Sequence, residues 1–260
     1  MLKGKIAVVT GSTSGIGLGI ARALAADGCS IMMNGFGDPA EIEQLRSSIE
    51  HDFGVKALFN GADLSKGDQC ADLVKDALTR LGKVDILVNN AGIQHVSPIE
   101  SFPVDRWDAI IAINLSSAFH TIRAALPGMK SAGWGRIINI ASTHGLVASA
   151  NKSAYVSAKH GIMGLTKTAA LELAGTGVTC NAICPGWVLT PLVKKQIEAR
   201  AERDKIPVAQ AEHELLIEKQ PSGKFTTVDQ LGALAVFLCS PGADNITGVP
   251  LPADGGWTAQ

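Results

Sequence analysis

Charge is scarce in this chain: only 18% of its 260 residues are Asp, Glu, Lys or Arg, and the formal net charge is -1. That low charged fraction excludes a disordered, solvating polypeptide, and the absence of any run of five or six like charges argues against nucleic acid or an anionic membrane as the main partner. No stretch approaches the roughly 18 apolar residues that a membrane span needs. The N-terminus enters a strand-like run at once, so no signal peptide is expected. The six histidines contain no His-x-x-x-His pair, and no metal site is indicated. The five cysteines, Cys29, Cys70, Cys180, Cys184 and Cys239, are odd in number and scattered. A disulfide scaffold is therefore unexpected, and reduced thiols in the cytoplasm fit better. Cys180 and Cys184, the one close pair, lie in an apolar run and read as small buried hydrophobes. Aromatics are few, with four tryptophans, seven phenylalanines and a single tyrosine, Tyr155.

What the chain has is apolar content, at 46%, and glycine, at 28 residues without a collagen period. Short β-branched runs alternate with longer helical patterns. Strands are expected at Lys5–Thr10, Ser30–Asn34, Lys56–Asn60, Asp85–Asn89, Arg136–Ile140, Val178–Ile183 and Val249–Leu251. Helices are expected near Gly15–Asp27, Glu41–Phe53, Gly67–Leu81, Val104–Leu126, Ala154–Leu173 and Val228–Leu238. Such alternation calls for right-handed βαβ crossovers. The fold class is then α/β: a doubly wound, Rossmann-type parallel sheet of seven strands with helices on both faces, in a single domain spanning 1–260. Pro250 and Pro252 place the last strand at a sheet edge. One segment breaks the rhythm. From Lys194 to Lys219, twelve of 26 residues are charged, in two helical pieces either side of Pro207. It reads equally as a solvated outer face or as a helical lid at about 191–219.

The strand Lys5–Thr10 runs into Gly11-Ser-Thr-Ser-Gly15-Ile-Gly17 and then a helix. A glycine turn at a helix N-terminus lets backbone N–H groups approach a pyrophosphate, and the helix dipole favours its charge. The spacing is G-x-x-x-G-x-G. With Asn89-Asn-Ala-Gly92, Tyr155-x-x-x-Lys159 and Pro185-Gly186, it resembles the short-chain dehydrogenase/reductase family over the whole chain, in order and at family spacings. The resemblance implies a nicotinamide dinucleotide held by Gly11, Thr13, Ser14, Gly15, Ile16 and Gly17 in the turn. Phe36, Asp63 and Leu64 would lie on the adenine side, with Asn90, Ala91 and Gly92 as a ribose-side wall. Pro185, Gly186, Val188 and Thr190 would line the nicotinamide end, where Tyr155 and Lys159 also contact the cofactor. No Arg or Lys stands near the end of the second strand, where a 2′-phosphate would meet Asp38, Glu41 and Glu43. NAD is therefore expected rather than NADP, more for want of an NADP reader than by a positive NAD one.

Tyr155 and Lys159, four apart, share one helix face. A cation at about 4 Å in an effective dielectric of about 20 contributes about 4 kcal/mol, enough to bring a phenol towards the range of a general base. By resemblance, Ser142 hydrogen-bonds the reacting oxygen and Asn114 serves a proton relay, completing a catalytic set of Asn114, Ser142, Tyr155 and Lys159. A strand-end turn serine and an asparagine in a helix kink are the plainer readings of those two.

Substrate must be read from the remaining polar groups on strand-end loops. Gln94, His144, Lys152 and Gln196 are more than a secondary alcohol requires, whereas a buried carboxylate needs charge-assisted partners. Trp187 and Trp257 leave little room beyond it, favouring a short hydroxy acid over a long acyl thioester. The local sequences Asn-Ala-Gly-Ile-Gln-His95, His144-Gly-Leu-Val-Ala-Ser-Ala-Asn-Lys152, Cys-Pro-Gly-Trp187 and Asp-Gly-Gly-Trp257 are similar to those of family members acting on 3-hydroxybutyrate. That likeness implies interconversion of (R)-3-hydroxybutyrate and acetoacetate with NAD, as in ketone body metabolism. It also implies Gln94, His144, Lys152 and Gln196 on the carboxylate, the tryptophans against the methyl end, and a homotetramer. His95 reads as supporting structure. The alternatives are a 3-oxoacyl thioester reductase of the same family and a dinucleotide sensor without turnover.

Overall fold

A computed structural model describes residues 2–259. Its strands are β1 (Ile6–Val9), β2 (Ser30–Asn34), β3 (Ala57–Asn60), β4 (Ile86–Asn89), β5 (Gly135–Ile140), β6 (Val178–Pro185) and β7 (Pro250–Ala253). They form one sheet in the order β3-β2-β1-β4-β5-β6-β7. Every neighbouring pair is parallel. The order reverses between β1 and β4, and the crevice at their carboxyl ends is where an open α/β sheet binds ligands.

The helices are α1 (Gly15–Ala26), α2 (Pro39–Phe53), α3 (Gly67–Leu81), α4 (Val104–Ile111), α5 (Ser117–Ala132), α6 (Ser153–Glu172), α7 (Pro191–Asp204), α8 (Val208–Lys219) and α9 (Val228–Leu238). They cover both faces. Ile20, Leu24 and Leu231 from α1 and α9 join Val9 and Ile31 on one side. Leu73, Val74, Ile122 and Met129 from α3 and α5 join Val8, Leu87 and Ile137 on the other. Adjacent strand residues thus feed opposite cores, which is why the strands read as unbroken apolar runs rather than alternating ones.

Two expectations change. The helix expected at Val104–Leu126 is broken by a π-helical turn, Ala112–Ser116, and then runs on through Pro127 to Ala132. A π-turn inserts one residue into the ladder and re-aims the side chains beside it; here Asn114 is in it. The last strand, expected at Val249–Leu251, runs from Pro250 to Ala253 and contains both prolines. Ala182 N–H donates to Val249 O and Gly186 N–H to Ala253 O. Residues 249 and 253 therefore face β6, and by alternation the two prolines face outward at the sheet edge, where no ladder bond is lost. Among the described residues, the helical run long and apolar enough to cross a membrane is Val104–Ala132. Here it lies against α3 and α6.

Candidate active site

The glycine turn is shaped by its neighbours. Thr10 Oγ1 accepts from the N–H groups of Asn90 (2.9 Å) and Ala91 (3.0 Å), and Asn90 Nδ2 donates to Thr10 O and Gly11 O. Gly11 (φ +60°) and Gly15 (φ +53°) are left-handed. A Cβ on Gly17 would collide with the Gly11 carbonyl and the Asn90 amide. Helix α1 follows Ser14, which makes no side-chain cap, and has no acid in its first turn. Its first N–H groups are therefore available at the positive end of the dipole, a fit for an anionic pyrophosphate.

The cleft above this turn has a volume of about 410 Å³. Of the sequence-predicted cofactor residues, it is lined by Gly11, Thr13, Ser14, Gly15, Ile16, Phe36, Leu64, Asn90, Ala91, Gly92, Tyr155, Lys159, Pro185, Gly186, Val188 and Thr190. Gly17 lies behind the turn. Asp63 is not on the wall either: its carboxylate accepts from Ser65 N–H (3.0 Å) and Oγ (2.7 Å). Asn34, at the end of β2 and not among the expected site residues, also lines the cleft. Its Nδ2 bridges to Asn60 O and Ala62 O at 3.0 Å each. Near the end of β2, Asp38 is occupied as the cap of α2, accepting from Ala40 and Glu41 N–H. Arg22, in α1, is tied to Asp52 at 2.6 Å.

Ser142, Tyr155 and Lys159 meet at the carboxyl end of β5. Ser142 Oγ accepts from His144 N–H (3.1 Å) and shares a side-chain hydrogen bond with Tyr155. Lys159 Nζ donates to Ile140 O at 2.7 Å and stands 5.6 Å from the Tyr155 ring centroid. Asn114 is buried behind them and does not touch the cleft. Its amide accepts from Ile93 N–H and donates to Ile93 O, both at 2.9 Å, bracing the segment that carries Gly92 and Gln94.

One expectation about this set is reversed. Lysine does not dominate the phenol's titration: burial raises the Tyr155 pKa, and the Ser142 hydrogen bond alone pulls it back. Lys159 is itself buried, and its pKa is pushed down to about 8 by desolvation. Where both partners are stripped of water, the cost of the phenolate outweighs the Coulomb attraction.

All eight sequence-predicted substrate residues, Gln94, Ser142, His144, Lys152, Tyr155, Trp187, Gln196 and Trp257, line the same cleft. Lys152 Nζ lies 3.4 Å from His144 Nε2 and 5.6 Å from the Trp187 ring centroid. Burial, then the Lys152 charge, lowers His144 to about 4, so the imidazole is neutral and can accept from the ammonium. Burial also lowers Lys152, while Glu218 raises it. Trp257 sits edge-on to His144 (5.3 Å) and tilted against Trp187 (5.9 Å, 35°). Helix α7 brings Gln196 to the cleft. His95 stacks on Phe102 away from the cleft, as structure.

Fold and site together are those of a short-chain oxidoreductase using a nicotinamide dinucleotide. The short chain dehydrogenase family profile matches residues 5–201, and the chain belongs to that family. It is 64% identical to the D-beta-hydroxybutyrate dehydrogenase of Cupriavidus necator, over the full length of both chains. It is 57% identical to the enzyme of that name from Rhizobium meliloti, over 98% of this chain and 99% of that one. The crystal structure of levodione reductase superposes with a TM-score of 0.91 at 30% identity, covering 100% of this chain and 99% of that one.

Proposed function

We propose that the protein is an NAD-dependent dehydrogenase that interconverts (R)-3-hydroxybutyrate and acetoacetate. The observation carrying this reading is the Lys152–His144 pair, walled by two tryptophans, in the cleft that also holds Ser142 and Tyr155. Lys152 is the charged donor of that pair, and a carboxylate, which only accepts, calls for such a donor. The tilted indoles suit a methyl group rather than a long acyl arm. The end of β2 presents the acid Asp38 and no Arg or Lys, and Arg22 is paired with Asp52, which favours NAD.

In the oxidative direction, Lys152, His144, Gln94 and Gln196 hold the carboxylate and so orient the hydroxyl towards Ser142 and Tyr155. Ser142 fixes that oxygen, and the Tyr155 oxygen accepts its proton. Lys159, on the same α6 face as Tyr155, would hold the cofactor ribose. When bound, the nicotinamide supplies the hydride acceptor. Asn114 keeps the Gly92–Gln94 wall in place.

The test is initial-rate reduction of NAD and of NADP with (R)- and (S)-3-hydroxybutyrate, a simple secondary alcohol and a 3-hydroxyacyl thioester. The (R)-acid with NAD should be preferred. A preference for thioester and NADP would indicate the acyl reductase instead, and dinucleotide binding without turnover would indicate a sensor.

A further inference from the structure

Gln220, the residue after α8, is fully buried, which is unusual for a glutamine at the end of a charged helix. Its Oε1 accepts from the Trp187 backbone N–H at 2.8 Å, and its Nε2 donates to Lys224 O. Two glycines back directly onto the side chain. A Cβ on Gly186 would lie 2.5 Å from Oε1, and one on Gly255 would lie 2.7 Å from Cγ. The neighbouring residues extend the clasp: Ser222 N–H donates to Gly255 O (3.0 Å), and Thr226 N–H donates to Trp187 O (2.9 Å). The segment that follows α8 thus ties both loops that carry the tryptophans, the Gly186–Val188 loop and the Asp254–Trp257 loop. Gln220 itself does not reach the cleft.

We propose that Gln220 is a positioning residue that sets the acyl chain length the site accepts, acting through Trp187 and Trp257; this rests on the hydroxy-acid reading above. A pocket discriminates one methylene by about 10- to 200-fold only if its wall does not yield. Here the wall is two indoles on loops, and loops yield unless their backbone is tied. Gln220 supplies the tie from the side remote from substrate. Without it the Trp187 N–H is left buried and unpaired, which the loop relieves by moving.

The experiment compares wild type with Gln220→Met, which keeps the volume but neither hydrogen bond. Gln220→Glu, which keeps an acceptor for the Trp187 N–H, is the rescue variant. Steady-state rates with NAD are taken for 3-hydroxybutyrate and its one-carbon-longer homologue 3-hydroxypentanoate, alongside the KM for NAD and the near-UV circular dichroism of the tryptophans. In Gln220→Met the C4-over-C5 preference in kcat/KM should fall about five-fold or more, and the KM for 3-hydroxybutyrate should rise about ten-fold. The KM for NAD and kcat should stay within about two-fold, the tryptophan band should change, and Gln220→Glu should restore much of the preference. An unchanged preference and spectrum overturns the proposal, as does an equal decline in every parameter. If Gln220→Met gives no folded protein, Gln220→Asn, with the amide withdrawn by one methylene, is read in the same way. If wild type oxidises neither acid, the hydroxy-acid reading fails, and the Gln220→Met spectrum alone then decides whether the residue holds the indoles.

Discussion

Tyr155 sits where burial opposes the charge that a general base must carry, with Ser142 as the one partner drawing its pKa back down. The phenol therefore depends on what else is positive nearby, and Lys159 is held there by Ile140 O. Tyr155→Phe should lower kcat by roughly a hundred- to ten-thousand-fold. Dinucleotide affinity, measured by quenching of NADH fluorescence, should stay near that of wild type. Near-normal turnover would remove Tyr155 from its role. Lys152→Ala should raise the KM for the acid about ten- to a hundred-fold, the scale of a lost charge-assisted hydrogen bond, with a smaller effect on kcat. An unchanged KM would place the carboxylate elsewhere. Residue identities and their shared face were legible because a helix puts positions 155 and 159 one turn apart. The direction of the phenol's shift was not, because sequence gives charges but not their desolvation.

Elements differ in how openly they announce themselves. The glycine turn was legible from spacing alone, since only glycine tolerates the left-handed angles and the close approach of strand ends. Gly17→Ala should destabilise the protein by about 1–3 kcal/mol, the scale of overpacking, and weaken NADH binding. A melting curve and an NADH titration superimposable on wild type would refute the close contact. The π-turn at Ala112–Ser116 left no mark in the apolar periodicity, because one inserted residue shifts the helical phase by only about 100°. Asn114 was therefore picked out by likeness, whereas its bracing of Ile93 came from packing. Gln220 was missed for a related reason: a polar residue closing a charged helix reads as solvated, and only the tertiary fold buries it between two glycines. Asp38 was legible as an acid near β2 but not as the cap of α2, a duty that occupies its carboxylate.

At the scale of the molecule, two lowered pKa values make stability depend on pH in a defined direction. His144 titrates near 4 instead of 6.5, so between those values the unfolded chain binds the extra proton and stability falls as pH drops. The loss should reach at most about 3 kcal/mol by pH 4. Urea unfolding across this window should show the slope in wild type and a flatter profile in His144→Gln; equal slopes would show that the imidazole is not the group concerned. Lys159, at about 8 instead of 10.5, acts with the same sign in another window, adding stability as pH rises from 8 to 10.5. The two ends of the sheet also differ in what they can do to a neighbour. In β7 both outward positions are prolines, so that edge has no N–H to offer at either. A second copy meeting the molecule there cannot extend the sheet across the contact, and must be recognised by side chains. Assembly through this end is thereby kept finite, with no route to an open-ended ribbon of paired strands.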